Sequence, residues 1–183
     1  MNIFRLDDDP KIAAIYHCDK HVVKMIVESA QMLSTAHRIL DGTMTKVLGK
    51  KNVIKHFYHP TLDNVLYKAF NFNHPSTLWT RESSANYAWH YDLFVALADE
   101  YTYRYGKVHA TDALLRSVLK TPPQNIKDSP ETLLRLAMKA RPDCMFPSDP
   151  VKSYRLFYQT KQDRIVMKWK NRPVPSWFIF KDI

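Results

Sequence analysis

The sequence predicts an all-α protein, a single compact multi-helix domain over residues 1–183 built around one long, mostly buried central helix. Three observations carry that expectation. Apolar side chains recur at three-and-four spacing through two long stretches, residues 17–40 and 84–105. Helix-starting pairs of a capping residue and a proline punctuate the chain, at Asp9-Pro10, His74-Pro75 and Asp149-Pro150. Only three glycines occur in 183 residues, Gly42, Gly49 and Gly106, too few for the turns of a many-stranded sheet.

The elements follow in order. Asp9 caps a short helix through Tyr16, and the sequence leaves open whether it fuses with the next helix or breaks near Cys18. The central helix runs to about Leu40 and stops at Asp41-Gly42, where glycine suits a left-handed closing residue. Residues 43–56 carry Lys46, Lys50, Lys51 and Lys55 with no acid and read as a solvated basic loop. His59-Pro60 opens a helix to Phe70, and a further helical start lies at residues 76–81. Tyr87, Tyr91, Phe94, Val95, Ala98 and Tyr101 mark the second long helix, closed by Gly106. Thr111 caps a helix to Leu119, Ser129-Pro130-Glu131 starts another to about Lys139, and Asp149-Pro150 launches one to Tyr158. A last helix reaches Trp169, and the aromatic tail around Trp177 is extended and packed.

Composition limits the function classes. With so few glycines, phosphate-cradling glycine motifs are excluded. A net charge of +9 points to a polyanionic partner, and nucleic acid, with DNA favoured, is the commonest for a domain of this size. Cys18 and Cys144 form neither a disulfide framework nor a zinc cluster, which places the protein in a reducing compartment. No leader and no membrane-spanning run is evident, so a cytoplasmic protein without a membrane partner is expected.

The chemistry is expected on one stripe of the central helix. At about 100° per residue, His17, His21, Lys24, Glu28, Gln31 and Thr35 fall within roughly 80° of one another, with Lys20 and Arg38 at the margin. Val22, Val23, Met25, Ile26, Val27, Ala30 and Leu33 fill the rest of the wheel. Ionisable groups hemmed in by apolar ones line grooves, where catalysis is found; the plainer alternative is a core helix with one charged wet edge. Glu28 is the expected general base, or the group that steadies a developing cation, with His21, His17 and Lys24 beside it. His17 and His21, at i and i+4, suit a metal as a rival use. The zinc-protease glutamate is replaced by Cys18 and no third ligand follows, so no metal and no cofactor is called for.

Nucleic-acid contacts are expected mainly from the C-terminus. Between Val151 and Pro173 seven basic residues, Arg155, Lys168, Lys170 and Arg172 among them, stand against Asp163 alone, interleaved with Tyr154, Phe157, Tyr158 and Trp169. Basic residues neutralise phosphates and flat rings stack on unpaired bases, although each aromatic taken singly suits the core better. Lys20, Gln31, His74 and Arg81 complete the expected contacts, with Trp79 assigned to the core.

Two resemblances sharpen this reading. Tyr16-His17-Cys18-Asp19-Lys20-His21-Val22-Val23-Lys24-Met25, with His74-Pro75, Glu100-Tyr101, Arg104-Tyr105-Gly106-Lys107 and Lys168-Trp169, resembles a family of small proteins carried by tailed bacteriophages, over nearly the whole chain. That implies a viral, DNA-directed context in a host cytoplasm and names no reaction. The order of a helix with His and Glu seven apart, His-Pro, a long helix ending in Glu-x-x-x-Arg-Tyr-Gly and a basic aromatic C-terminus is similar to the pyrimidine-dimer DNA glycosylases of the endonuclease V type. That likeness implies a small basic all-α enzyme in which Glu28 is the catalytic glutamate, His21 the flanking histidine and an N-terminal amine the nucleophile. Asn2 is a departure, because its size predicts retention of Met1, whose amine would then serve. The expected function is excision of damaged or modified pyrimidines from DNA. Alternatives are another base- or nucleotide-modifying enzyme, such as one attaching amino acids to modified thymines, and a non-enzymatic nucleic-acid binder acting on host transcription or defence.

Overall fold

A computed structural model describes residues 1–48 and 53–181, leaving Lys50 and Lys51 of the expected basic loop outside the described residues. Helix α1 (Pro10–Tyr16) begins as expected, with the Asp9 side chain accepting from Lys11 N–H. The chain then breaks: His17 is extended, and α2 (Asp19–Leu40) starts afresh after Cys18. Helix α2 packs chiefly against α4 (Ser84–Tyr105), while α1 lies across α4 as well. Between them sits one continuous core that includes Met25, Ile26, Leu33, Phe94 and Leu97. The remaining helices are α3 (Pro75–Thr80), α5 (Ala110–Leu119) and α6 (Pro150–Gln159).

The protein is mostly helical and not purely so. Residues read as a solvated loop form an antiparallel hairpin, β1 (Thr43–Leu48) paired with β2 (Val53–Tyr58). Thr43, Thr45, Val47, Val53 and Ile54 are β-branched and favour a pleated backbone, a signal hidden beneath the lysines. Gly42, just before β1, has no left-handed backbone. Its role is close approach, since a Cβ there would lie 2.3 Å from the Arg38 carbonyl oxygen and 2.7 Å from that of Tyr58. Gly106 does close α4 in the left-handed region, with φ 65°.

Three expected helices are absent, and in two of them buried partners claim the backbone. Over residues 59–70 a single turn forms at Leu62–Leu66. Beyond it the carbonyls of Asp63, Leu66 and Tyr67 accept from the buried Arg38 guanidinium, which also holds the Phe57 carbonyl and the Asp63 carboxylate. Over 129–139, Thr132 N–H donates to Asn86 Oδ1, Trp79 Nε1 donates to the Thr132 carbonyl, and Ala137 N–H reaches Tyr154 Oη, so the segment runs as an extended strap. After α6 one 3-10 turn, Thr160–Asp163, replaces the last helix. Thr111 is not a cap; His109 Nδ1 accepts its N–H. No helix among the described residues is long and apolar enough to cross a membrane.

Candidate active site

The stripe on α2 divides when the helix is packed. Val23 and Val27, expected in the core, are 38 % exposed beside the exposed Lys20 and Lys24, while Thr35 and Arg38 are buried. What remains together is the middle of the stripe. His21, Lys24 and Glu28 open into a cleft of about 290 Å³, closed on its other sides by the N-terminal residues Met1 to Phe4 and by Phe157, Lys161 and Arg164.

Among the described residues Glu28 is the only carboxylate lining that cleft. Its side chain is 17 % exposed, with Lys24 Nζ 3.3 Å from Oε1 as the i, i+4 partner. Oε2 accepts the Asn2 N–H at 3.1 Å and lies 3.7 Å from the Met1 ammonium. The extended start of the chain is pinned by Tyr154 Oη, which donates to Asn2 Oδ1 at 2.8 Å, and by the buried Ile3 and Phe4. His74 stands nearby: burial and then the Met1 ammonium lower its pKa, while Glu28 raises it.

His21 lines the cleft beside Glu28 and is held in place by its neighbours. Tyr158 Oη accepts the Cys18 N–H at 2.9 Å and lies 2.8 Å from His21 Nδ1. The same hydroxyl is also hydrogen-bonded to the Cys18 side chain. Phe4 stacks on the ring at 5.0 Å and 15°. Burial, then the neighbouring His17, Lys24 and Lys161, push the His21 pKa down to about 3. The ring is therefore neutral near pH 7.

The structure draws other expected site residues elsewhere. His17 is fully buried; its Nδ1 donates to the Ala13 carbonyl, and burial lowers its pKa to about 4. Gln31 donates to the Lys68 carbonyl in a separate cleft. Arg81 holds the Thr77 carbonyl at the end of α3. Arg155 is bound to the Leu6 carbonyl and Asp7 between the Tyr16 and Trp177 rings. Trp169 is a core residue whose Nε1 donates to the Tyr16 carbonyl, so it offers no face for stacking. Arg172 is bidentate on the buried Glu100 and lies 4.0 Å over Tyr103. Lys168 and Lys170 remain exposed, the latter 5.2 Å over Tyr105.

Larger hollows do not compete chemically. One of about 510 Å³ lies under the hairpin and is lined by Arg38, already saturated with acceptors. Another of about 520 Å³ holds Asp92, Asp99 and Glu100, an acidic lining that would repel phosphate. His37, Asp41 and His59 approach within 4.8 Å of one another. Yet His59 Nδ1 accepts two backbone N–H groups, which leaves its other nitrogen protonated and without a lone pair for an ion. Asp41 meanwhile accepts the N–H groups of Gln124 and Asn125.

Comparison with family models, with curated proteins and with solved structures returned no match. The site therefore rests on its own geometry. Sequence reasoning placed Glu28, His21 and Lys24 by helical spacing, and it missed Phe157, Lys161 and Arg164 as cleft residues. The signal available for those three was their i, i+4 and i+3 spacing, which continues the turn of α6 past its end.

Proposed function

We propose that the protein is a DNA glycosylase that excises damaged or modified pyrimidines, with Glu28 as its catalytic carboxylate. The observation that carries this reading is Glu28 itself: a partly buried carboxylate, single in its cleft, between an ammonium and cations suited to the backbone of a DNA strand. As the glycosidic bond breaks, the sugar gains positive charge, and a fixed carboxylate stabilises that charge more than it stabilises the neutral ground state. Glu28 also serves as base for an attacking water, whose oxygen bonds to C1′ as the base departs with the bonding electrons. The amine of Met1, 3.7 Å from Oε2, is the competing nucleophile and would give an imine in place of a free sugar. The neutral His21 ring hydrogen-bonds the sugar or the departing base. Lys46 and Lys55, opposite each other in the hairpin register and exposed, supply backbone contacts away from the cleft.

The test is base release from duplexes carrying ultraviolet photoproducts or modified pyrimidines. Glu28→Gln should cut the rate about a hundredfold or more, with an unchanged melting temperature and equal or tighter DNA binding. Full activity in a folded Glu28→Gln protein discards the catalytic assignment. Borohydride trapping on abasic DNA separates the two nucleophiles, since only an amine leaves a covalent adduct.

A further inference from the structure

We propose that the mouth of the Glu28 cleft is a phosphate site, built from Lys161 and Arg164 with Lys24 opposite and the His21 ring lining the same space. It rests on the nucleic-acid part of the reading above and is independent of base excision. Four observations point to it.

The first is a charge imbalance. Lys24, Lys161 and Arg164 line the cleft against one carboxylate, Glu28, which the Asn2 N–H and the Met1 ammonium already share. The second is the lack of partners. Among the described residues neither Lys161 nor Arg164 makes an ion pair; Asp163, between them in sequence, is turned to Lys181. The third is placement. Lys161 is half-buried, its amine 3.6 Å over the Phe157 ring and 5.7 Å from Phe4. Burial, then the charges of Arg164, Lys24 and Arg141, lower its pKa. Crowding like charges around a partly desolvated amine is costly, and an anion seated among them removes the cost. The fourth is His21, whose ring lines the same space and is held there by Tyr158 Oη, 2.8 Å from Nδ1, and by the Phe4 ring stacked on it.

The chemistry recognised is a phosphate ester. A Lys supplies a point charge and an Arg a planar fork, the pair that holds phosphate oxygens. The cleft volume, about 290 Å³, lies just under the range of ligand sites, which run from roughly 300 to 1,000 Å³. One nucleotide fits and a dinucleotide cofactor does not. The phosphate is either the diester beside a target nucleotide in a strand or the ester of a free mononucleotide.

The experiment titrates the full chain with labelled duplex DNA, thymidine 5′-monophosphate, inorganic phosphate and thymidine. The monophosphate should bind where thymidine does not. Binding of DNA alone identifies the strand diester as the source, and equal binding of the monophosphate identifies a free nucleotide. Lys161→Gln and Arg164→Gln should each weaken DNA binding about tenfold and lower the salt slope by about one, whereas Lys161→Arg should retain both. In the unsubstituted protein the His21 imidazole nitrogen resonances should move with the monophosphate and stay still with thymidine, a readout that needs no variant to fold. Unchanged affinity and slope in both Gln variants, with still His21 resonances, overturns the site. Loss of base release in Lys161→Arg with DNA binding intact overturns it too, because the amine would then be doing chemistry. A protein that excises nothing yet shows these losses of binding refutes the glycosylase reading and leaves the phosphate site standing.

Discussion

At the scale of single residues, burial governs the titratable groups. His17, His21, His37 and His90 are pushed down to about 4, 3, 4 and 3, in each case first by burial. Unfolded, each would titrate near 6.5. Between those values the unfolded chain binds more protons than the folded one, so stability rises with pH and is lost as pH falls from about 6.5 toward 3. The melting temperature should therefore drop steeply between about pH 7 and pH 4, with a proton uptake on unfolding greater than one; a flat profile over that range contradicts the buried neutral imidazoles. The same burial decides the roles at the cleft. The His21 imidazole, neutral near pH 7, brings no positive charge to the cleft.

At the scale of elements, local signals and tertiary demands part company at identifiable residues. The caps were legible because they act within one turn: Asp9 and Asp149 accept from the N–H groups of Lys11 and Lys152, and Gly106 closes α4. The absent helices over 59–70 and 129–139 were not legible, because their backbone groups are claimed by Arg38, Asn86 and Trp79 from distant parts of the chain. Propensity sees neighbours in sequence and is blind to such partners. For the site the same division holds. Spacing on α2 gathered His21, Lys24 and Glu28, while Lys161 and Arg164 reach the cleft from the 3-10 turn and its closing residue, where the spacing that links them to Phe157 runs past the end of α6. Gly42 tests the tertiary demand directly, since α2 and the hairpin approach there backbone to backbone. Gly42→Ala should destabilise by about 2 kcal/mol or more, measured by denaturant unfolding, even though its backbone angles suit alanine. A neutral outcome would mean that the hairpin moves away from α2 freely.

At the scale of the molecule, the net charge of +9 divides between cations tied into the fold and cations left exposed. Arg104 is buried on Glu100 and Asp19, Arg38 is buried on the 57–67 segment, and Arg155 and Arg172 are tied to Asp7 and Glu100. Lys24, Lys161 and Arg164 line the Glu28 cleft, and Lys20, Lys168 and Lys170 are exposed, as are Lys46 and Lys55 on the hairpin. Two residues four apart in the basic C-terminus should therefore behave oppositely. Lys168→Ala removes an exposed charge, so the slope of log affinity against log salt should flatten by about one while stability stays within about 0.5 kcal/mol. Arg172→Ala removes a bidentate partner of the buried Glu100, costing about 1–3 kcal/mol of stability, with the salt slope unchanged. Anisotropy titrations with duplex DNA across a range of salt, paired with thermal melts of the same preparations, separate the two. Equal flattening by both variants would place Arg172 on the phosphates and break the division of charge on which the cleft's excess of cations depends.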